Sequence, residues 1–170
     1  MSEAVTVVDY DPRWPALFEE EKARILAAIG HLVIDVQHVG ATSVPGCGGK
    51  PVVDIMVGVS DLTVGERCIR PLVDLEYEYK GEQGIPGRLY FGKGQPRTHR
   101  LHMVRIDGDF WLDLILFRDY LRAHAQAAKE YYRLKKELAA RFGEDREGYT
   151  EAKSPFIHSV LAKARAASPF

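Results

Sequence analysis

Apolar residues recur at two spacings along the first part of the chain, and together they predict a mixed α/β domain. Between Pro15 and Ile29 the apolar side chains fall on one face of a helix, and Gly30 follows as a stop signal. Residues 32–39 and 52–59 alternate as strands do, and the second run is apolar enough for a buried strand. The pattern predicts a helix followed by a strand–loop–strand unit.

Four further elements complete the predicted sheet and its cover. Residues 5–10 form a short β-type run, which is either an edge strand or an extended lead-in. Residues 62–75 have helical spacing, and Pro71 either kinks this helix or ends it early. Residues 89–91 and 99–106 are predicted strands, each bounded by glycine-containing turns.

The last third of the chain is predicted to be helical. Residues 109–123 favour a helix, with a strand as far as Leu116 as the alternative. Residues 125–142 are strong helix formers. Residues 145–167 have helical spacing that is interrupted at Ser154-Pro155, where a new helix is expected to begin. The expected fold class is therefore α/β (α+β), a mixed sheet flanked by helices with a helical C-terminal third, in one domain over residues 1–170.

Composition and charge narrow the class of protein. The 170 residues suffice for one core, and 46% hydrophobic with 28% charged residues is ordinary for a globular domain. The 23 basic and 24 acidic residues nearly cancel, which gives no support for general nucleic-acid binding. No apolar run approaches a membrane span, and the N-terminus lacks a signal-peptide pattern, so a cytoplasmic protein is expected. Cys47 and Cys68 form no CxxC pair and are interpreted as inert thiols.

The segment between the two first strands holds the candidate chemistry. Gly40-Ala-Thr42-Ser43 leaves one strand with backbone N–H groups and two hydroxyls that suit a phosphate, and Lys50 precedes the next strand. The alternative to a phosphate site is that this segment is only a tight connection between two core strands. Asp54 lies inside the apolar run, where a carboxylate needs a cation, so it is either a salt-bridge partner or a functional acid.

Basic residues elsewhere are candidates to complete a site. Arg100 and His102 share one face of the last predicted strand, where they form a positive rim if that strand lies beside Asp54. His102 is then a candidate base or ligand. Arg118 either pairs with its neighbouring acid or reaches the anion site. Tyr149 and Lys153 are interpreted as a packed aromatic residue and a solvated lysine.

Four motifs resemble the GrpB family in order along most of the chain. They are His38-Val-Gly-Ala-Thr-Ser-Val-Pro-Gly, Lys50-Pro-Val-Val-Asp-Ile, Arg100-Leu-His and Phe117-Arg-Asp-Tyr-Leu-Arg, and the C-terminal Tyr149-x-x-x-Lys-x-x-Phe-Ile fits as well. The resemblance places the chain in the nucleotidyltransferase superfamily. It implies a mixed sheet flanked by helices, a loop that holds a triphosphate and a strand whose acids hold Mg²⁺.

Carried onto this sequence, the resemblance assigns roles residue by residue. Gly40, Thr42, Ser43, Lys50, Arg100 and Arg118 are expected to bind phosphate or nucleotide. Asp54 is expected to hold Mg²⁺ and, with His102, to act in catalysis. Met56 stands where the superfamily has its second acid, and a thioether does not replace a carboxylate for a hard cation. His102, Asp109 and Asp113 are the candidates to complete a metal site.

Two hypotheses of function follow. One is a nucleotidyltransferase that moves a nucleotidyl or phosphoryl group in a Mg²⁺-dependent reaction. The alternative is a non-catalytic nucleotide- or anion-binding module, or a protein-interaction module, that lacks the second carboxylate. The expected partner is a small nucleotide or phosphate ligand, with no membrane, and the aromatic and arginine content of the tail is compatible with a homo-oligomer.

Overall fold

A five-stranded mixed sheet in the order β1-β2-β5-β4-β3 forms the centre of the molecule. The structure is a computed structural model and describes residues 5–167. The strands are β1 (Asp35–Val39), β2 (Val53–Val59), β3 (Glu78–Tyr79), β4 (Leu89–Lys93) and β5 (His99–Arg105). Strands β2 and β5 run parallel, whereas the other three neighbouring pairs are antiparallel. The parallel pair at the centre of the sheet carries the candidate site.

Helices cover both faces of this sheet. They are α1 (Trp14–Ile29), α2 (Leu62–Arg67), α3 (Ile69–Asp74), α4 (Asp109–Ala123), α5 (Ala125–Phe142) and α6 (Arg146–Ala167). Phe18 and Ile25 of α1 belong to the same buried cluster as Leu72 of α3. Trp111 of α4 belongs to a separate cluster on the other side of β2, and α6 packs against α4 and α5. The predicted mixed sheet with a helical C-terminal third is confirmed.

The alternation of side chains along β2 is as the sequence predicts. Val53, Ile55 and Val57 enter the cluster beneath α1 and α3. Met56 lies on the opposite face with Trp111, and Asp54 precedes it on that face. The acid therefore faces the C-terminal helices, and this orientation places their basic residues within reach of it.

Two predicted elements differ in the structure. The helix expected over residues 62–75 is two short helices that meet at Cys68, and Pro71 lies in the first turn of the second, where a missing N–H costs nothing. Helix α6 continues through Pro155, because Phe156, Val160 and Leu161 pack into a cluster with residues of α4 and α5. Of the two alternatives for residues 5–10, the extended lead-in is observed, with a single bridge between Val8 and Gly49.

The helical prediction for residues 109–123 is confirmed as α4, and the strand alternative is not realised. Across residues 5–167, no helix combines the length and the apolar character that crossing a membrane requires.

A buried carboxylate fixes α1 against the sheet. Glu21 is fully buried and accepts hydrogen bonds from the Tyr77 hydroxyl at 2.6 Å, from Nζ of Lys93 at 2.9 Å and from Arg24 at 2.9 Å. Lys93 ends β4 and Tyr77 precedes β3, so one side chain joins three separate parts of the fold.

We expect Glu21→Ala to lower the free energy of unfolding by about 3 kcal/mol, because it leaves the Tyr77 hydroxyl and the Lys93 ammonium buried without their acceptor. Urea denaturation followed by circular dichroism measures the change. Glu20→Ala, one residue earlier on the exposed face, is the matched control and should change stability by less than about 0.5 kcal/mol. Equal effects of the two variants would contradict the assigned role of Glu21.

Candidate functional site

Asp54 and Arg100 form the centre of the site because the β2–β5 register places them opposite each other. Oδ1 of Asp54 lies 3.3 Å from Nε of Arg100 and 3.3 Å from Nε2 of His102. Burial acts to raise the pKa of Asp54, but Arg100 and then His102 outweigh it and hold the pKa at about 2. Asp54 is therefore an ionised carboxylate that already has two partners.

His102 is held in one tautomer by its two neighbours. Nη1 of Arg88 lies 3.2 Å from Nδ1 of His102, and a guanidinium only donates, so Nδ1 accepts. The proton of the neutral ring is therefore on Nε2, which donates to Asp54 at 3.3 Å. Since the one lone pair of the ring is occupied by Arg88, His102 orients Asp54 and is not a free base in this arrangement.

Gly40 brings the loop against the acid. It follows the Val39–Asp54 pair of the β1–β2 ladder and has φ 75° and ψ −175°, a conformation that side chains rarely adopt. A Cβ atom built on Gly40 would lie 2.7 Å from Oδ2 of Asp54. The glycine is therefore needed for this close approach of backbone and carboxylate.

The two loop hydroxyls that the sequence assigns to phosphate binding are occupied inside the loop. Thr42 Oγ1 lies 2.8 Å from Nε2 of His38, and Ser43 Oγ donates to the Gly40 carbonyl at 2.5 Å. Both side chains are buried, and the His38 ring stacks on Phe18 of α1. Burial, followed by the charges of nearby arginines, lowers the pKa of His38 to about 4, so this ring is neutral. These hydroxyls stabilise the loop conformation.

Of the two alternatives for Arg118, the pair with its neighbouring acid is the one observed. Its Nη1 donates to the Gln37 amide oxygen at 2.7 Å and to the His38 carbonyl at 3.0 Å, and its Nε pairs with Asp119. Arg122, one turn later on α4, donates to the Ser43 carbonyl at 2.9 Å. The two arginines hold the two ends of the loop through the carbonyl groups of His38 and Ser43. Neither arginine lines the cleft that contains Arg100.

The residues around Asp54 do not fit a pair of Mg²⁺ ions. Met56 is fully buried among apolar side chains, so its position holds no ligand. Asp113 pairs with Arg165 of α6, and Asp109 is exposed at the start of α4. Among residues 5–167 no three His, Cys, Asp or Glu side chains are grouped as a metal site. The Arg100 guanidinium supplies the positive charge beside Asp54.

A cleft of about 800 Å³ opens beside this pair. Five basic residues line it, and no acidic residue does so within the described part of the chain. The basic residues are Lys50, Lys80, Arg97, Arg100 and Arg146. Tyr90, Gln83 and Thr98 add polar groups to its wall. The cleft is therefore strongly positive although the chain as a whole is nearly neutral.

Two half-buried lysines share one aromatic ring beside the cleft. Nζ of Lys50 lies 5.1 Å and Nζ of Lys153 lies 4.6 Å from the ring centroid of Tyr149, which is buried. Burial and then Arg100 and Arg146 lower the pKa of Lys50 to about 8. Burial and then Lys50 and Lys135 lower the pKa of Lys153 to about 7. Lys153 is thus not the solvated lysine that its helical spacing suggests.

The sequence pattern missed Lys135, Arg88 and Arg146. Lys135 is buried on α5, where Nζ donates to the Gly48 carbonyl at 2.7 Å, and burial lowers its pKa. Its position on the apolar face of an otherwise amphipathic helix is the signal that could have revealed it. Arg146 has no such signal, since it lies among other polar residues, and Arg88 follows a glycine- and proline-containing loop without a periodic pattern.

The comparisons with known proteins cover nearly the whole chain. The family model described as GrpB protein matches residues 4–163. The glutamate-rich protein GrpB of Alkalihalophilus pseudofirmus is 36% identical over 92% of this chain and 94% of its own length. The chain belongs to the GrpB family. The UPF0157 protein YqkA of Bacillus subtilis is also 36% identical, over 95% of this chain, which spans about half the length of that relative.

Solved structures agree with this membership and extend the comparison of folds. The crystal structure of GrpB from Enterococcus faecalis superposes with a TM-score of 0.87 at 34% identity and covers 94% of this chain and 96% of its own. The Cid1 poly(U) polymerase superposes with a TM-score of 0.55 at 12% identity, over 78% of this chain and 43% of its own. The GrpB chain therefore has a nucleotidyltransferase-like fold.

We expect Gly40→Ala to lower the free energy of unfolding by about 2 kcal/mol or more, because the new Cβ requires a strained backbone and displaces Asp54. Thermal unfolding measures the effect. Gly46→Ala, another glycine with positive φ but with open space around it, is the control that isolates the contact with Asp54. A Gly40→Ala loss no larger than that of Gly46→Ala would show that the close approach does not matter.

The Asp54 ion pair should also be visible in the pH dependence of stability. Because its pKa is about 2 in the folded protein and near 3.8 when unfolded, its stabilisation of about 2 kcal/mol is complete above pH 4 and is lost as the pH falls toward 2. Urea unfolding of wild type and Asp54→Asn between pH 5 and 2 measures this. The variant is expected to be less stable at pH 5 but to lose less stability over the acid range. Parallel curves for the two proteins would contradict the assigned pair.

Proposed function

We propose that the protein binds a phosphate-bearing ligand in the basic cleft, with a nucleoside polyphosphate as the first candidate, and that binding needs no divalent metal. The observation that carries this proposal is the cleft itself, with five basic and no acidic residues among those described. In a concave, partly buried site such a surplus of charge concentrates anions. Several negative charges on one ligand match it best.

Arg100 supplies a specific docking point within the cleft. The side chain is 25% exposed and lines the cleft, while its Nε faces Oδ1 of Asp54 at 3.3 Å. A phosphate oxygen is a strong acceptor for a guanidinium, which has further N–H donors besides Nε. Asp54 and His102 then serve to hold the Arg100 side chain in position from below.

The size of the cleft and the fold support a nucleotide as the ligand. A volume of about 800 Å³ lies within the range of small-molecule sites and leaves room for a base and sugar beside the phosphates. Cid1, which shares the fold, has been solved with 3′-dATP and with a UTP analogue.

Metal-dependent nucleotidyl transfer is the second candidate, and the observation in its favour is Asp54 itself, on the central strand beside the loop of a nucleotidyltransferase-like fold. The residue set around it argues against a two-metal reaction. The carboxylate of Asp54 already pairs with Arg100 and His102, and the Met56 side chain is fully buried. A non-catalytic module is therefore the better supported alternative.

Calorimetric titration with ATP and UTP, in EDTA and in Mg²⁺, separates the two candidates. We expect binding in EDTA that Mg²⁺ does not strengthen, because the metal neutralises ligand charge that the cleft recognises. Arg100→Ala should weaken binding about tenfold or more through loss of a charged hydrogen-bond donor. Asp54→Asn should retain binding, since the arginine remains.

Arg133→Ala removes an exposed arginine from α5 and should leave affinity unchanged. Binding that requires Mg²⁺ and disappears in Asp54→Asn would instead support the metal-dependent enzyme. If neither the nucleotides nor pyrophosphate bind under any of these conditions, the cleft is not an anion site and the proposal fails.

A further inference from the structure

Lys50 combines access to the cleft with an unusual lack of acidic partners. It lies three residues before β2, is half-buried and lines the cleft beside Arg100. Within the described residues Lys50 forms no salt bridge, and its Nζ lies 5.1 Å from the centroid of the Tyr149 ring. Surface lysines, in contrast, are surrounded by water that stabilises the ammonium form.

The charged groups that surround Lys50 come from every neighbouring element and are almost all basic. Arg100 is contributed by β5, Lys135 by α5, and Arg146 and Lys153 by α6, whereas Asp54 of β2 is the one acid among the groups that influence it. Asp54 is already paired with Arg100. Removing a proton from Lys50 therefore relieves repulsion with several cations at once.

This environment keeps part of the Lys50 population in the reactive amine form. A pKa of about 8 leaves roughly one-tenth of the side chain unprotonated at pH 7, compared with well under a thousandth for an ordinary lysine. Desolvation and a neighbouring cation are the two features that activate lysine nucleophiles. Both are present here.

We propose that Lys50 is a nucleophilic amine that forms an imine with a phosphate-bearing aldehyde or ketone bound in the cleft. This inference rests on the proposed anion cleft, because Arg97, Arg100 and Arg146 hold the phosphate while the carbonyl group lies against the amine. The shared chemistry of the ligand is one phosphate and one carbonyl carbon.

The reaction balances without any redox partner. The ammonium first releases a proton to solvent, and the free amine of Lys50 attacks the carbonyl carbon to give a carbinolamine. The carbinolamine loses its hydroxyl group with one nitrogen proton as water, and a carbon–nitrogen double bond remains. Hydrolysis reverses the sequence, so the adduct is in equilibrium with the free ligand.

Labelling with pyridoxal 5′-phosphate, followed by borohydride reduction and peptide mass mapping, tests this proposal on the 170-residue chain. We expect Lys50 to be labelled at least tenfold faster than Lys129, an exposed lysine of α5. Pyrophosphate should protect Lys50 and leave Lys129 unprotected. Pyridoxal without its phosphate should label Lys50 more slowly than the phosphate ester does.

Variants test the role of the second lysine. Lys153→Arg places a permanently charged guanidinium beside Lys50, so the pH midpoint of Lys50 labelling should move downward and the rate at pH 7 should rise. Lys153→Met should leave the midpoint close to that of the wild type, because Lys153 is already largely uncharged at the pH where Lys50 titrates. Lys129→Met is the matched control and should not alter the rate at Lys50. A merely structural role of Lys153 would leave the pH midpoint unchanged.

The outcomes distinguish this inference from the proposed function. Labelling of Lys50 no faster than of Lys129, or labelling of Lys153 in its place, overturns the inference even if calorimetry detects nucleotide binding. If pyridoxal and its phosphate ester label Lys50 equally fast and pyrophosphate gives no protection, Lys50 is an activated amine, but both the phosphate-bearing ligand and the anion cleft are overturned.

Discussion

The ion pair between Asp54 and Arg100 is the interaction on which the rest of the site depends. The parallel register of β2 and β5 places these residues side by side, and a carboxylate enclosed this far needs a cation to remain charged. His102, itself held by Arg88, fixes the carboxylate from the other side. Gly40 packs against the other carboxylate oxygen, because a Cβ atom at this position would lie 2.7 Å from Oδ2. The loop, the strands β2 and β5 and the Arg100 side chain thus all pack around one carboxylate.

The same pair explains why the site differs from the metal centre that the fold suggests. A cation at this position cancels the charge of Asp54, and in this chain that cation is a guanidinium. Met56 packs into the apolar cluster beneath α4, so β2 presents one acid rather than two. Because Arg100 already balances the negative charge of Asp54, this carboxylate serves to position Arg100. The positive charge of the surrounding lysines and arginines is not balanced and is available for an anion.

The C-terminal helices supply much of that charge. Lys135, Arg146 and Lys153 come from α5 and α6, which pack against each other and against α4 on the Asp54 side of the sheet. Burial lowers the pKa of both Lys135 and Lys153, and the charges of Lys50, Lys135 and Arg100 lower that of Lys153 further. The helical tail therefore belongs to the site and is not only a cover for the sheet.

The sequence predicted the fold class well, because alternation in β2 and helical spacing in α1, α4 and α5 depend on local periodicity. It also brought Asp54, Arg100 and His102 together correctly, since their strands pair. It could not show that Arg118 turns to the back of the loop or that the hydroxyls of Thr42 and Ser43 bond within it, because those choices depend on tertiary contacts. The continuous helix through Pro155 likewise depends on packing against α4 and α5.

Crystallography of the protein with a nucleoside triphosphate and Mn²⁺, with anomalous scattering to locate the metal, shows whether Asp54 binds a cation other than Arg100. We expect phosphate oxygens against Arg100 and Lys50, with the Asp54–Arg100 pair intact and no manganese coordinated by Asp54. A manganese ion bound to Asp54, with Arg100 displaced from it, would show that Asp54 is a metal ligand and that the anion does not depend on the ion pair.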